Sequence, residues 1–175
     1  MNILIIGSGG REHAIAWKCA QDDFVKHIYV CPGNAGTYLE DKVSNIDIDT
    51  KKFNLIEEFC LKEQIDLVII GPEQPLVDGL TDYLQNKGIK TFGPSKNAAQ
   101  LEGSKTFSKD FFVKYDIPTA EYKSFEDFNS SVNYLDEVSY PTVVKADGLA
   151  AGKGVIICEN KESAIEALNL SLIHI

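Results

Sequence analysis

Two lysines and three glycines within ten residues carry the most pronounced chemistry in this chain. The stretch Val143-Val144-Lys145-Ala146-Asp147-Gly148-Leu149-Ala150-Ala151-Gly152-Lys153-Gly154-Val155-Ile156-Ile157 leaves one β-branched run and enters another. That pattern predicts a hairpin with a cationic tip. Glycines let backbone N–H groups come close to anionic oxygens, Lys153 adds a charge inside the loop, and Lys145 is held at a strand end. Such a tip can fold over a polyphosphate; a glycine-rich hairpin with solvated lysines is the other reading of the same residues. It is not a Walker A loop, because Gly152-Lys153 is followed by Gly154 and a strand rather than by Ser or Thr and a helix.

A second constellation lies at the amino terminus. Ile3 to Ile6 predict a strand, Gly7-Ser8-Gly9-Gly10 a tight turn, and Arg11 to Gln21 a helix with Ala14, Ile15 and Cys19 along one side. A strand, glycine loop and helix start place backbone N–H groups and the helix dipole at an anion. Arg11, the only arginine in the chain, opposes that dipole unless an anion lies between them, and its fork suits a phosphate or a carboxylate. The dinucleotide fingerprint fits poorly: Glu12 stands at its third glycine position, and the strand His27 to Cys31 ends in Cys31-Pro32 without a ribose-binding carboxylate. A nicotinamide-dependent oxidoreductase is the alternative from another class.

The elements that must position these residues alternate. After Pro32-Gly33-Asn34-Ala35-Gly36-Thr37 come a predicted helix from Lys51 to Glu63, a strand from Ile65 to Ile70, the turn Gly71-Pro72-Glu73-Gln74-Pro75, a helix from Leu76 to Asn86 and a short strand at Lys90 to Phe92. Strands alternating with helices imply a parallel α/β sheet, and ligands of open sheets bind beyond the strands' carboxyl ends. Gly9, Asn34, Gly36 and Glu73 are therefore expected to converge there. Glu73 can accept from sugar hydroxyls or serve as a turn-forming surface carboxylate. Ser104 is the expected cap of a helix to Tyr115, with Lys105 in its first turn and Phe107, Phe111 and Phe112 packing inward. The pattern then restarts with a strand from Ala120 to Lys123, a helix from Phe125 to Leu135, the lysine hairpin, and a helix from Lys161 to Asn169.

Composition limits the function further. Acidic residues outnumber basic ones 26 to 17, a net charge of −9, which argues against a nucleic-acid surface. No apolar run reaches the ~20 residues that span a bilayer. The terminus lacks a basic region ahead of its apolar run, so a buried strand is expected there rather than a signal peptide. The four cysteines, Cys19, Cys31, Cys60 and Cys158, form no C-x-x-C pair and read as reduced core residues of a cytoplasmic protein.

Seven stretches, taken together, resemble the phosphoribosylamine–glycine ligase (glycinamide ribonucleotide synthetase) family of the ATP-grasp superfamily: Gly7 to Ala14, Pro32 to Thr37, Gly71 to Val77, Phe92 to Pro94, Ala99 to Lys105 with Phe107 and Lys109, Pro118 to Tyr122, and Val143 to Val155. They occur in the family's order over nearly the whole chain. The resemblance implies an open parallel Rossmann-like (pre-ATP-grasp) sheet domain over residues 1–103, followed by the start of an ATP-grasp domain over 104–169. It places phosphoribosylamine on Gly9, Gly10, Arg11, Asn34, Gly36 and Glu73, and ATP on Lys105, Lys145, Asp147, Gly148, Gly152, Lys153 and Gly154. It further implies glycine as co-substrate, Mg2+ (or Mn2+) as cofactor, and fusion to other purine-pathway domains in some organisms. The family's metal ligands and Arg-Leu-Gly-Asp-Pro-Glu signature lie beyond this sequence, so no metal ligand or general base is assigned. The 175 residues alone are expected to be inactive. Leu170-Ser171-Leu172-Ile173-His174-Ile175 equals one translation of a transposon-end sequencing adapter and reads as a non-native tail.

Overall fold

The computed structural model describes residues 1–150 and 152–173. Its chain forms two compact units, Met1–Gln100 and a second beginning at Leu101.

In the first unit, β1 (Asn2–Gly7), β2 (His27–Pro32), β3 (Val43–Asn45), β4 (Leu67–Ile70) and β5 (Thr91–Phe92) form one parallel sheet in the order β3-β2-β1-β4-β5. The continuous apolar run of β1 is what a strand covered on both faces requires. Its side chains alternate: Leu4 and Ile6 join Ile56, Cys60, Leu80 and Leu84 on one face, while Ile3 and Ile5 join Ala16, Ile28 and Val30 on the other. Helix α1 (Gly10–Ala20) supplies the second face, and α2 (Phe53–Lys62) and α4 (Leu80–Asn86) the first. Each fully buried Ile or Leu contributes about 1.5–3 kcal/mol.

Three readings need correction here. The helix expected from Leu76 to Asn86 is two helices, α3 (Glu73–Asp78) and α4, because Gly79 at φ +99° ends the first in a left-handed cap. Ala14 is exposed, and Glu12 and Ala16 hold the buried positions of α1. Strand β3 and helix α5 (Lys96–Gly103) arise where no element was expected.

The second unit contains α6 (Lys105–Lys114), α7 (Phe128–Tyr134), β6 (Thr142–Lys145), β7 (Val155–Cys158) and α8 (Lys161–Ile173). The hairpin forms as expected, β6 and β7 pairing antiparallel with Lys145 opposite Val155. Its inner face packs Val144, Ile156 and Cys158 on Leu135, Ala164 and Ala167. Ser104 caps α6 by accepting from the Phe107 N–H at 3.1 Å. The aromatics of α6 do not form the expected inward stripe: Phe107 is exposed, Phe111 and Phe112 are half-buried, and Ser108 takes the buried position. No strand forms at Ala120 to Lys123; side chains of α6 hold that segment, Lys109 Nζ donating to Thr119 Oγ1 and the Ala120 carbonyl at 2.7 Å. The helix expected from Phe125 starts at Phe128, where Asp127 accepts from the Ser130 N–H at 2.9 Å. Helix α8 continues to Ile173, past the expected Asn169; of the expected tail, residues 174 and 175 lie outside the described residues.

Candidate functional site

In the strand order of the first unit, the chain leaves β1 toward β2 and β3 and returns to β4 on the other side. The loops after β1 and β4 therefore diverge at a topological switch point, where open α/β sheets bind ligands. Gly7, at φ +130°, makes the turn out of β1 in a conformation that side chains rarely adopt. Gly9 caps α1, and the first-turn N–H groups beyond it have no carbonyl one turn earlier to accept them. Gly10 leaves open space where a side chain would stand. The helix start therefore has the geometry that can receive an anion.

Arg11 bridges the diverging loops. One amino group donates to the Gly71 carbonyl at 2.8 Å and the other to Glu73 Oε1 at 3.0 Å. The Glu73 carboxyl is held below its ordinary range, first by its own backbone N–H and then by Arg11; Arg11 is raised, first by its hydrogen bond to Glu73 and then by that charge. Both side chains are largely solvated, 57% and 43% exposed, so the pair contributes at most about 1 kcal/mol. Of the two partners its fork suits, Arg11 meets the carboxylate here.

Asn34 ties the loop after β2 to the same place. Its amide donates to the Ser8 carbonyl at 2.9 Å, and its oxygen accepts from the Gly36 and Thr37 N–H groups at 2.8 and 3.0 Å. Gly36 is a glycine because the His13 ring lies where its Cβ would be; that ring is hydrogen-bonded through Nε2 to Glu40 Oε1 at 2.8 Å. Gly9, Gly10, Arg11, Asn34, Gly36 and Glu73 thus come together at one sheet edge.

The second unit holds the other constellation. The loop is closed by the Ala146 N–H donating to the Gly154 carbonyl at 2.8 Å and the Lys153 N–H to the Ala150 carbonyl at 2.9 Å. Gly148 and Gly152 have positive φ and open space around them. Gly154 is needed for room, since a Cβ there would meet that of Ala150 at 2.6 Å. Lys145 is exposed at the end of β6. Lys105 Nζ donates to the Gly148 carbonyl at 2.7 Å, and Asp147 accepts from Ser104 Oγ at 3.0 Å and the Lys105 N–H at 2.6 Å. Partial burial pushes the Asp147 carboxyl up, but hydrogen bonds from Ser104 and the N–H groups of Gly148, Thr106 and Lys105 outweigh it and leave it below the ordinary range. Lys105 and Asp147 therefore brace the loop in this structure. Of the loop residues, Ala151 lies outside the described residues.

Sequence reasoning gave Glu12, His13 and Asn45 no role. Glu12 has a signal: a Glu three residues after a helix cap is the capping-box position, and its carboxylate accepts from the Gly9 N–H at 2.7 Å. Asn45 donates to the Asn34 carbonyl at 2.8 Å and accepts from Thr37 Oγ1 at 2.7 Å; nothing local in the sequence marks it. No group of three or more His, Cys, Asp or Glu that could hold a metal occurs among the described residues.

Folds of this kind are known. The chain matches a biotin carboxylase from Campylobacter jejuni with TM-score 0.76 at 18% identity, over 97% of this chain and 41% of that one, a likeness of fold alone. It matches a phosphoribosylamine–glycine ligase from Thermotoga maritima with TM-score 0.74 at 36% identity, over 95% of this chain and 38% of that one. The class is ATP-grasp: a Rossmann-like domain followed by the start of an ATP-grasp domain. Within that class, residues 1–102 match the profile of phosphoribosylglycinamide synthetase, N domain, and residues 103–174 that of its ATP-grasp (A) domain. The chain belongs to the phosphoribosylglycinamide synthetase family. The phosphoribosylamine–glycine ligase of Clostridium acetobutylicum is 53% identical over 173 residues, 99% of this chain and 41% of that protein. A bifunctional purine biosynthetic protein of Pichia angusta is 48% identical over 99% of this chain and 22% of its own length. The chain spans about two fifths of the length of the single-function relatives it matches. The nicotinamide alternative falls with this assignment.

Proposed function

We propose that this chain is the amino-terminal part of a phosphoribosylamine–glycine ligase that joins glycine to 5-phosphoribosylamine with cleavage of ATP to ADP and phosphate, in purine biosynthesis in the cytoplasm. The observation that carries this reading is the match of both family domains, in order, along the whole chain. Residues 1–103 form the substrate domain, with the sugar phosphate at the start of α1, Arg11 and Asn34 holding the loops, and Glu73 accepting from ribose hydroxyls. Residues 104–169 begin the ATP-grasp domain, in which Lys145, Lys153 and the glycine-rich loop around Gly148, Gly152 and Gly154 face the nucleotide. The four free cysteines suit a reducing compartment.

In the proposed reaction a glycine carboxylate oxygen attacks the terminal phosphorus of ATP and ADP leaves. The ribosylamine nitrogen then attacks the acyl carbon, and phosphate leaves as the C–N bond forms, the proton lost from that nitrogen ending on the released phosphate. Negative charge builds on the transferring phosphoryl and on the acyl oxygen, so catalysis rests on positioned positive charge and N–H donors. Lys145, Lys153 and the loop backbone supply both. Mg2+ (or Mn2+), when bound, would supply further counter-charge on the phosphates.

The test is phosphate release from ATP, glycine and freshly made phosphoribosylamine by protein extended to its relatives' full length. Release that requires both co-substrates is expected; release indifferent to phosphoribosylamine would overturn the assignment. The 175-residue chain, run beside it, is expected to be silent.

A further inference from the structure

The carboxylate of Glu12 takes no part in the chemistry above, yet it lies where the two loops of the sugar-phosphate site diverge. The residue is 3% exposed. Its Oε2 accepts from the Gly9 N–H at 2.7 Å, while Oε1 is buried with no hydrogen-bond partner among the described residues. The cation beside Oε1 is Arg11, whose Nε is 3.4 Å away. Three glycines from two loops surround the carboxyl group: a Cβ on Gly7 would lie 2.6 Å from Glu12 Cγ, one on Gly9 would lie 3.0 Å from Oε2, and one on Gly71 would fall on Oε1. Gly7 ends β1 and Gly71 follows β4, the strands that pair at the switch point. The gap between the two loops is the width of one carboxyl group.

We propose that Glu12 is the positioning residue of the sugar-phosphate site, an inference that rests on the function proposed above. A buried carboxylate is unfavourable unless its charge is met, and Arg11 meets it while gripping the Gly71 carbonyl and Glu73. One side chain thus sets three things: the Gly9 N–H is taken inward, so the next N–H groups of α1 are those left for the phosphate; the guanidinium is held against both loops; and the loops are kept apart by a fixed width. Gly7, Gly9 and Gly71 are small because Glu12 occupies the space their side chains would need. Gly71 is the informative one, since it has no left-handed φ and its nearest obstacles are all atoms of Glu12.

The experiment uses the full-length enzyme and reads KM for freshly generated phosphoribosylamine, KM for ATP and Tm on the same samples. Glu12→Gln keeps the volume and an acceptor for Gly9 but removes the charge beside Arg11. It is expected to raise the phosphoribosylamine KM by about tenfold with the ATP KM within about twofold, the pattern of a site moved out of register. Gly71→Ala alone is expected to raise the same KM. In a Glu12→Ala background it is expected to add nothing, because the methyl group then has room. A native phosphoribosylamine KM in Glu12→Gln, or a Gly71→Ala effect that multiplies unchanged in the Glu12→Ala background, would overturn the positioning role while leaving the ligase assignment intact. If the unaltered enzyme shows no saturable dependence on phosphoribosylamine, the assignment fails and the positioning role falls with it.

Discussion

Asp147 and Lys105 are joined by a hydrogen bond from the Lys105 N–H to the Asp147 carboxylate at 2.6 Å, so the residue that opens the glycine-rich loop also caps α6. Replacing it by alanine removes a cap, worth about 0.5–2 kcal/mol, to be read by urea unfolding. The carboxyl is held below its ordinary range, so its ionised form favours the folded state. That contribution is complete above the unfolded value of about 3.9 and is lost as pH falls through the lower folded value. The stability gap between the native protein and Asp147→Asn should be level from about pH 5 to 7 and shrink only below about pH 4. A gap that closes on going from pH 7 to 5 would show that Asp147 is not the group responsible.

Lys145 stands exposed at the mouth of the loop, whereas Lys123 lies over the Tyr134 ring at 5.0 Å. In full-length protein, Lys145→Ala is expected to weaken ATP binding tenfold to a hundredfold, the ~1.5–3 kcal/mol of a charge-assisted contact. Lys123→Ala should leave ATP binding unchanged and cost about 0.5–1 kcal/mol of stability at an exposed site. Equal ATP affinities in the two variants would remove Lys145 from the nucleotide site.

The first glycine loop separates close approach from empty space. A Cβ on Gly9 would meet Glu12 Oε2 at 3.0 Å, whereas one on Gly10 meets nothing within 4 Å. Gly9→Val should therefore raise half-saturation by phosphoribosylamine and leave ATP binding alone. Gly10→Ala, conformationally easy in the first helical turn, tests the ligand by itself: a raised phosphoribosylamine KM at native Tm would mean that the substrate fills the open space above Gly10. Native kinetics in both variants would move the sugar phosphate elsewhere.

What could be read from the sequence, and what could not, divides by range of interaction. β1, the β6–β7 hairpin and the Ser104 cap are written in local patterns, a β-branched run or a capping residue at its proper offset, and the structure repeats them. Ala120 to Lys123 has the composition of a strand, but a strand needs a partner edge, and Lys109 holds this segment by side-chain bonds instead. The missed β3 is three residues long and exists because β2 offers its edge. At the site, Gly7 to Arg11 were legible because glycines before a helix have few other uses. Glu12 was legible only as a misfit to the dinucleotide fingerprint, because its three glycine neighbours come from two loops about 60 residues apart in sequence. Its sequence setting makes Asn34 a ligand candidate, yet its side-chain bonds all run to neighbouring loop backbone, which no single-residue pattern reveals.

The cysteines give a test of the fold that needs no substrate. Cys31 and Cys158 are fully buried and Cys60 is 3% exposed, while Cys19 is half-buried on α1. Burial pushes the Cys60 thiol up to about 12 and raises Cys31 and Cys19 as well. The thiolate is the reactive form, so at about pH 7.5 a thiol reagent should label Cys19 first, more slowly than a free cysteine. Cys31, Cys60 and Cys158 should react only at the rate at which their surroundings open. Cys60 belongs to the sheet unit and Cys158 to the hairpin unit, so mass-resolved labelling through a urea series measures the opening of each separately. Because the folded state holds the Cys19, Cys31 and Cys60 thiols protonated, stability should fall as pH rises above the unfolded value of about 8.5. Rapid labelling of Cys60 in the native protein would show that the packing of α2 on β1 and β4 is wrong.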